Sequence, residues 1–145
     1  MTELSAPWCD VLIVGGGPAG LFLGALLAGH GTDVMILERR SAPSGDSRAI
    51  GLHPPALQAL AALGLKERFI DAGHRIRCGR ATVRGRELGI LRFARARSRD
   101  AFVLALPQSR TERLLENHLA GSSPAALRRG WEGTGLRESA SGVSV

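Results

Sequence analysis

Between Asp10 and Glu38 the chain sorts its apolar residues into blocks. The run Val11-Leu12-Ile13-Val14 is followed by Gly15-Gly16-Gly17-Pro18, a long apolar stretch, and a second apolar run that closes on Glu38. Four successive apolar residues with no polar partner suit a parallel strand buried on both faces, which predicts a central strand here. Leu21, Leu23, Ala25, Leu26, Leu27 and Ala28 then make a helix that is apolar nearly all round, as expected for one sandwiched between layers. Gly29 and Gly31 end it, and Thr32 to Leu37 reads as a second buried strand. The order is strand, glycine turn, helix, strand.

Gly15, Gly17 and Gly20 fall on the G-x-G-x-x-G template directly after the first strand. Each has a steric reason: Gly15 for the tight turn, Gly17 for close approach of a pyrophosphate to the backbone, Gly20 for close helix–strand packing. Pro18 stands at the first helical position, where a missing N–H costs little, so Pro18, Ala19 and Gly20 open a helix whose free amides and dipole favour an anion. Glu38 ends the second strand eighteen residues past Gly20, where a carboxylate accepts hydrogen bonds from an adenosine ribose. The pattern predicts a dinucleotide-binding βαβ unit. Arg39 and Arg40 complicate the choice of nucleotide, because an arginine here also suits the 2′-phosphate of NADP. Glu38 ranks FAD or NAD above NADP, and the pattern leaves FAD and NAD unseparated.

Beyond this unit, Gly51 to Leu65 reads as a helix opened by Pro54-Pro55, with Ala56, Leu57, Leu60 and Leu63 on one face and Gly64 as terminator. Thr111 to Leu119 reads as another, with Leu114, Leu115, His118 and Leu119 at helical spacing between Pro107 and Gly121. From Arg75 to Arg99 there are nine arginines and one acid, Glu87. Nucleic-acid binders pair such charge with stacking aromatics, and Phe93 is the only one in the segment. Short antiparallel strands with arginines on a wet face explain it better, and no nucleic-acid partner is expected. The tail from Ala126 to Val145 reads as short strands around Gly130, Gly133, Gly135 and Gly142.

Composition adds little to this. The net charge of +6 comes from arginine, Lys66 being the only lysine, and 44% hydrophobic with 22% charged residues is ordinary for a globular chain of 145 residues. Cys9 and Cys78 are isolated, which argues against a disulfide framework or zinc site and suits a reducing cytoplasm. His30, His53, His74 and His118 are scattered, so no metal site and no catalytic residue is assigned. Val11 to Gly29 carries no charge over nineteen residues, long enough to consider a membrane span, and Gly20/Gly24 has the spacing of a membrane-helix dimer motif. Pro18 and six glycines break that run, and no membrane association is expected.

Three blocks carry a family likeness: GGGPAGLFLGALLAGHGTDVMILERR, GDSRAIGLHPPALQALAALGL and LPQSRTERLLENHLAG. In this order and spacing they resemble the amino-terminal part of FAD-dependent aromatic-ring monooxygenases of the p-hydroxybenzoate hydroxylase type, nearest to the aromatic polyketide hydroxylases. The resemblance runs from about Asp10 to Val145. It implies a doubly wound α/β, Rossmann-like FAD-binding domain with a parallel sheet and short antiparallel strands, the substrate-side strands beginning at about residues 75–106. It implies FAD as cofactor, NAD(P)H as external reductant and a small aromatic substrate. By the same resemblance Arg48, in Ser47-Arg48-Ala49, contacts the flavin nucleotide, and Gln108 reaches the flavin.

The family's later flavin motifs, an Asp-Gly pair and a ribitol-holding Gly-Asp segment, are not found: there is no Asp-Gly, and the sole Gly-Asp, Gly45-Asp46, lies in the Arg48 loop. The expectation is an incomplete domain, doubtfully active alone, with the later motifs and substrate domain absent. Two other readings remain: another FAD oxidoreductase, such as a geranylgeranyl reductase-like enzyme, and a non-catalytic nucleotide-binding fragment.

Overall fold

The computed structural model describes residues 8–43, 51–93, 101–123 and 126–145. In chain order the elements are β1 (Val11–Val14), α1 (Pro18–Gly29), β2 (Val34–Glu38), β3 (Gly51–Leu52), α2 (Pro54–Ala61), α3 (Lys66–Ala72), β4 (His74–Ile76), β5 (Cys78–Val83), β6 (Arg86–Arg92), β7 (Val103–Ala105), α4 (Gln108–Ser122), β8 (Leu127–Arg129), β9 (Arg137–Ser139) and β10 (Gly142–Ser144). The chain divides into two compact units, Met1–Ser44 with Glu112–Val145, and Gly45–Thr111.

The first unit is built on a parallel sheet of order β1-β2-β8, with Val11 opposite Val34 and Glu38 opposite Arg129. β2 is the buried centre, every residue from Val34 to Glu38 being covered. This corrects the expectation for Val11–Val14. β1 pairs only on its β2 side among the described residues, so it is half-covered and Val14 stays 63% exposed. An apolar run reports that a strand is apolar, and the neighbours that cover it come from elsewhere in the chain.

α1 packs on this sheet through a narrow face, with Leu21, Gly24 and Ala25 buried and Leu23 exposed, so it is not buried all round. A Cβ on Gly24 would stand 2.6 Å from Ile36 Cδ1. The Gly20/Gly24 spacing thus serves helix-on-sheet packing within the unit. Leu115 and Leu119 of α4 are buried, while Leu114 is half-buried and Gly121 lies inside the last turn of the helix instead of beyond it. No helix among the described residues is long and apolar enough to cross a membrane.

The second unit holds a sheet of order β3-β7-β4, antiparallel throughout, and a separate β5-β6 hairpin. Its core is Leu57, Leu60, Leu65, Phe69, Ile70, Phe102, Leu104 and Leu106. The expected helix of Gly51 to Leu65 begins instead with a short strand and ends at Ala61. A further helix, α3, follows the left-handed Gly64 at φ +67. The described part of the arginine-rich segment, residues 75–93, does form antiparallel strands, but among the described residues the hairpin has no dry face: Val83, Leu88, Ile90 and Leu91 are exposed along with its arginines.

Candidate functional site

The turn between β1 and α1 owes its shape to two glycines, Gly15 and Gly20. Gly15 has φ +115, a region that side chains rarely enter. A Cβ on Gly20 would fall 2.0 Å from the Gly15 carbonyl oxygen, so only glycine lets α1 close onto the turn. A Cβ on Gly17 would meet no protein atom within 4 Å, and the backbone there, φ −78 and ψ −177, is ordinary extended chain. Gly20 is needed by the fold, whereas Gly17 leaves open space in front of the helix.

Pro18 starts α1 and the first intrahelical bond runs from Leu21 N–H to the Gly17 carbonyl, 2.9 Å. The amides of Ala19 and Gly20 precede that bond and have no carbonyl one turn back within the helix. With the positive end of the helix dipole they make a place for an anion.

Glu38 sits at the other side of this turn. It is 6% exposed, and its Oε2 accepts a hydrogen bond from Gly16 N–H at 2.9 Å. Oε1 accepts two more, from the backbone N–H and the Nε of Arg40, both 2.9 Å. The Arg40 hydrogen bond, more than the backbone donors, holds the Glu38 carboxyl at about 2, well below its ordinary 4.5, against the opposing effect of burial. It is therefore an ionised, acceptor-only group at neutral pH. Oε1 has both lone pairs engaged, while Oε2 has one strong donor and a long 3.4 Å approach from Arg40 Nη2.

Arg40 is consequently not an arginine held ready for a 2′-phosphate, as its sequence position allowed. Its guanidinium is turned back on Glu38 because the chain after β2 curls so that its own backbone N–H already points at Oε1. Arg39 points the other way, its side chain 76% exposed and 3.9 Å from Glu132, itself 62% exposed, a pairing of little energetic weight.

Val14, Gly15, Leu37, Glu38, Arg39, Trp131, Glu132 and Gly133 line an open cleft of about 270 Å³ beside the turn. The first unit thus gathers Gly15, Gly17, Pro18, Ala19, Gly20, Glu38 and Arg39 of the sequence-derived set around one feature. Gln108 is the first residue of α4 and belongs to the second unit, and Arg48 lies outside the described residues. Sequence reasoning missed Gly16, where a Cβ would come 2.8 Å from Glu38 Cβ, and the third glycine of the run was its signal. It also missed Arg40 as the clamp on Glu38 and Trp131 as a cleft wall. Away from the cleft, burial pushes the Cys9 thiol up, aided by Asp33, which leaves it less reactive than a free cysteine.

A glycine turn and helix amino terminus on a parallel βαβ unit, with an ionised acid at the end of the second strand, define a nucleotide-binding α/β protein. More narrowly, the chain belongs to the FAD binding domain family, whose profile matches residues 8–145. It is 41% identical over 138 residues to a rifampicin monooxygenase of Streptomyces venezuelae, covering 94% of this chain and 28% of that protein. Among solved structures it superposes on OxyS anhydrotetracycline hydroxylase from Streptomyces rimosus with a TM-score of 0.81 at 36% identity, over 93% of this chain and 27% of that one. The flavin-dependent monooxygenase PieE, solved in complex with FAD and substrate, matches with a TM-score of 0.80 at 25% identity, over 93% of this chain and 26% of that one. The chain spans about a quarter of the length of these relatives.

Proposed function

We propose that this chain is the FAD-binding portion of an NAD(P)H-dependent flavoprotein monooxygenase that hydroxylates an aromatic or polyketide substrate in the cytoplasm. The observation that carries the reading is the Glu38 Oε2 to Gly16 N–H hydrogen bond, which fixes an ionised carboxylate at the lip of the glycine turn. In this reading the amides of Ala19 and Gly20, behind Pro18, take the diphosphate across the open side of Gly17, and Gly15 and Gly20 hold the turn in shape. Glu38 Oε2, whose hydrogen bond from Arg40 Nη2 is long at 3.4 Å, accepts a ribose hydroxyl in its place, and Arg39 lines the approach. Arg48 and Gln108 reach the flavin nucleotide, and the strands of residues 75–106 begin the substrate side.

The residues present fit the group: a cradle that a Cβ would fill at Gly17, first-turn amides with no partner within the helix, and a charged acceptor within the same turn. Bound FAD, reduced by NAD(P)H, supplies the electrons that let dioxygen give one oxygen atom to the ring and the other to water. This chain's contribution is to bind and orient the adenosine diphosphate half.

The test is purification of the whole protein and its Glu38→Ala variant. The unmodified protein is expected to retain FAD and to couple oxygen uptake to ring hydroxylation, while Glu38→Ala emerges as colourless apoprotein. A variant that purifies yellow and fully loaded overturns the ribose role. Substrate reduction without oxygen incorporation overturns the monooxygenase assignment.

A further inference from the structure

The cleft has a polar end and an aromatic one. At the polar end stand Glu38 and the glycine turn. At the other, β8 finishes at Arg129, Gly130 turns the chain at φ +76, and Trp131 is delivered beside Glu38. Its backbone N–H donates to the Glu38 carbonyl oxygen at 3.2 Å, so the position of the indole is tied to the residue whose carboxylate faces the turn. The side chain is nonetheless 54% exposed, and it lines the cleft with Val14, itself 63% exposed, and the buried Leu37. Gly133 packs at that end, where a Cβ would come 3.1 Å from Val145 Cγ1 and within ordinary contact of Val14, 3.5 Å from its Cγ1. A large, half-exposed indole on a pinned backbone, in a cleft it lines with Val14 and Leu37 next to a ribose acceptor, has the chemistry of a stacking platform for a planar base.

We propose that Trp131 is the base-stacking wall of this cleft, taking the adenine of the nucleotide whose ribose is held by Glu38, and that it gives the site its preference for a purine. The inference rests on the dinucleotide reading above. Stacking depends on the π-face of the indole, so Trp131→Phe retains most of the affinity. Trp131→Ala loses it without unfolding the protein, because the ring makes little of the core.

The experiment uses the full chain carrying Trp8→Phe, which leaves Trp131 as the sole tryptophan. Titration with ADP is expected to quench its emission saturably, and with UDP to do so only at higher concentration. Calorimetric ADP affinity is expected to fall roughly five- to hundredfold in Trp131→Ala, the range that loss of one base–aromatic stack gives, with thermal melting unchanged. The gap between ADP and UDP is expected to close in that variant. Unaltered ADP affinity in Trp131→Ala, or ADP binding with no change in Trp131 emission, overturns the stacking wall and leaves the dinucleotide reading standing. Failure of the unmutated chain to bind ADP overturns both.

Discussion

Gly20→Ala and Gly17→Ala differ by three positions and are expected to fail in opposite ways. At Gly20 the new methyl would lie 2.0 Å from the Gly15 carbonyl oxygen and 3.3 Å from Ile13 Cγ2. A Cβ has no rotamer in which to escape, and the atom it strikes is backbone. The start of α1 must therefore lift by more than an ångström, at the expense of the Leu21 to Gly17 bond and of the seating of Leu21 on the sheet. Overpacking of this kind costs ~1–3 kcal/mol, and a strike on backbone belongs at the upper end. Alanine's better helix propensity returns up to ~1 kcal/mol, for a net loss of about 2 kcal/mol. At roughly 2–4 °C per kcal/mol for a chain of this size, Tm falls by about 4–8 °C.

At Gly17 the same methyl meets nothing within 4 Å, on a backbone any residue adopts. The fold is expected to be unchanged or up to ~1 kcal/mol more stable, because alanine restricts the unfolded chain. ADP binding instead falls roughly tenfold or more, since holding the diphosphate off the helix amides loses at least one hydrogen bond to a charged group, worth ~1.5–3 kcal/mol. Thermal melts without ligand and calorimetric ADP titrations on both variants read the two effects separately. A Gly20→Ala protein that melts with the wild type refutes the helix seating, and a Gly17→Ala protein with undiminished ADP affinity refutes the diphosphate position.

Two further outcomes follow from Glu38. Its carboxyl is depressed in the folded state, so it contributes stability that is present above its ordinary 4.5 and is lost as pH falls towards about 2. At ~1.4 kcal/mol per pH unit this amounts to about 3 kcal/mol at neutral pH. Urea unfolding of wild type and Glu38→Gln across that window is expected to give curves that differ by this amount at neutral pH and converge in acid, and parallel curves refute the assignment. In Arg40→Met the largest cause of the depression is gone, and NMR titration of the Glu38 side-chain carbon is expected to show its pKa rising towards 4.5. A Glu38 that still titrates near 2 in Arg40→Met means that the backbone donors alone hold it.

The parts of this site that were legible in the sequence are those fixed by local sterics. Gly15 and Gly20 are demanded by a backbone angle and a contact within a few residues, Pro18 by the start of a helix, and Glu38 by the end of a strand. These requirements leave a spacing that survives without knowledge of the fold. Arg40 and Trp131 leave none. Whether an arginine two residues past an acid folds back on it depends on the path of the chain after β2, and Trp131 reaches the cleft only because β8 pairs in parallel with β2 from far along the chain. The same non-locality bears on β1, whose apolar run does not reveal that it pairs on one side only among the described residues. α3 escaped notice because seven residues offer a single adjacent pair, Phe69 and Ile70, to the core, too few to display a period.

The geometry of Glu38 also bears on which nucleotide the proposed site takes. Before the structure, Arg39 and Arg40 left a 2′-phosphorylated nucleotide in contention beside FAD and NAD. With Oε1 saturated by Arg40, the acceptor position most open to a ribose hydroxyl is on Oε2, against the turn, where the Arg40 Nη2 bond is long at 3.4 Å. A phosphate at that hydroxyl would bring its negative charge to within about 4 Å of an ionised carboxylate, a repulsion of ~4 kcal/mol at the effective dielectric of a protein surface. Arg40 offsets part of this repulsion through its charge, but its donors are engaged by the same carboxylate, and turning them to a phosphate would return Glu38 towards an ordinary pKa while uncovering a buried charge. Arg39 is close enough to line the cleft but is exposed to solvent, where its attraction is weakened by screening. The balance of charges therefore favours an unphosphorylated adenosine ribose in this cleft. NADPH, if it is the reductant, would then have to deliver its electrons from a position other than the one framed by Glu38.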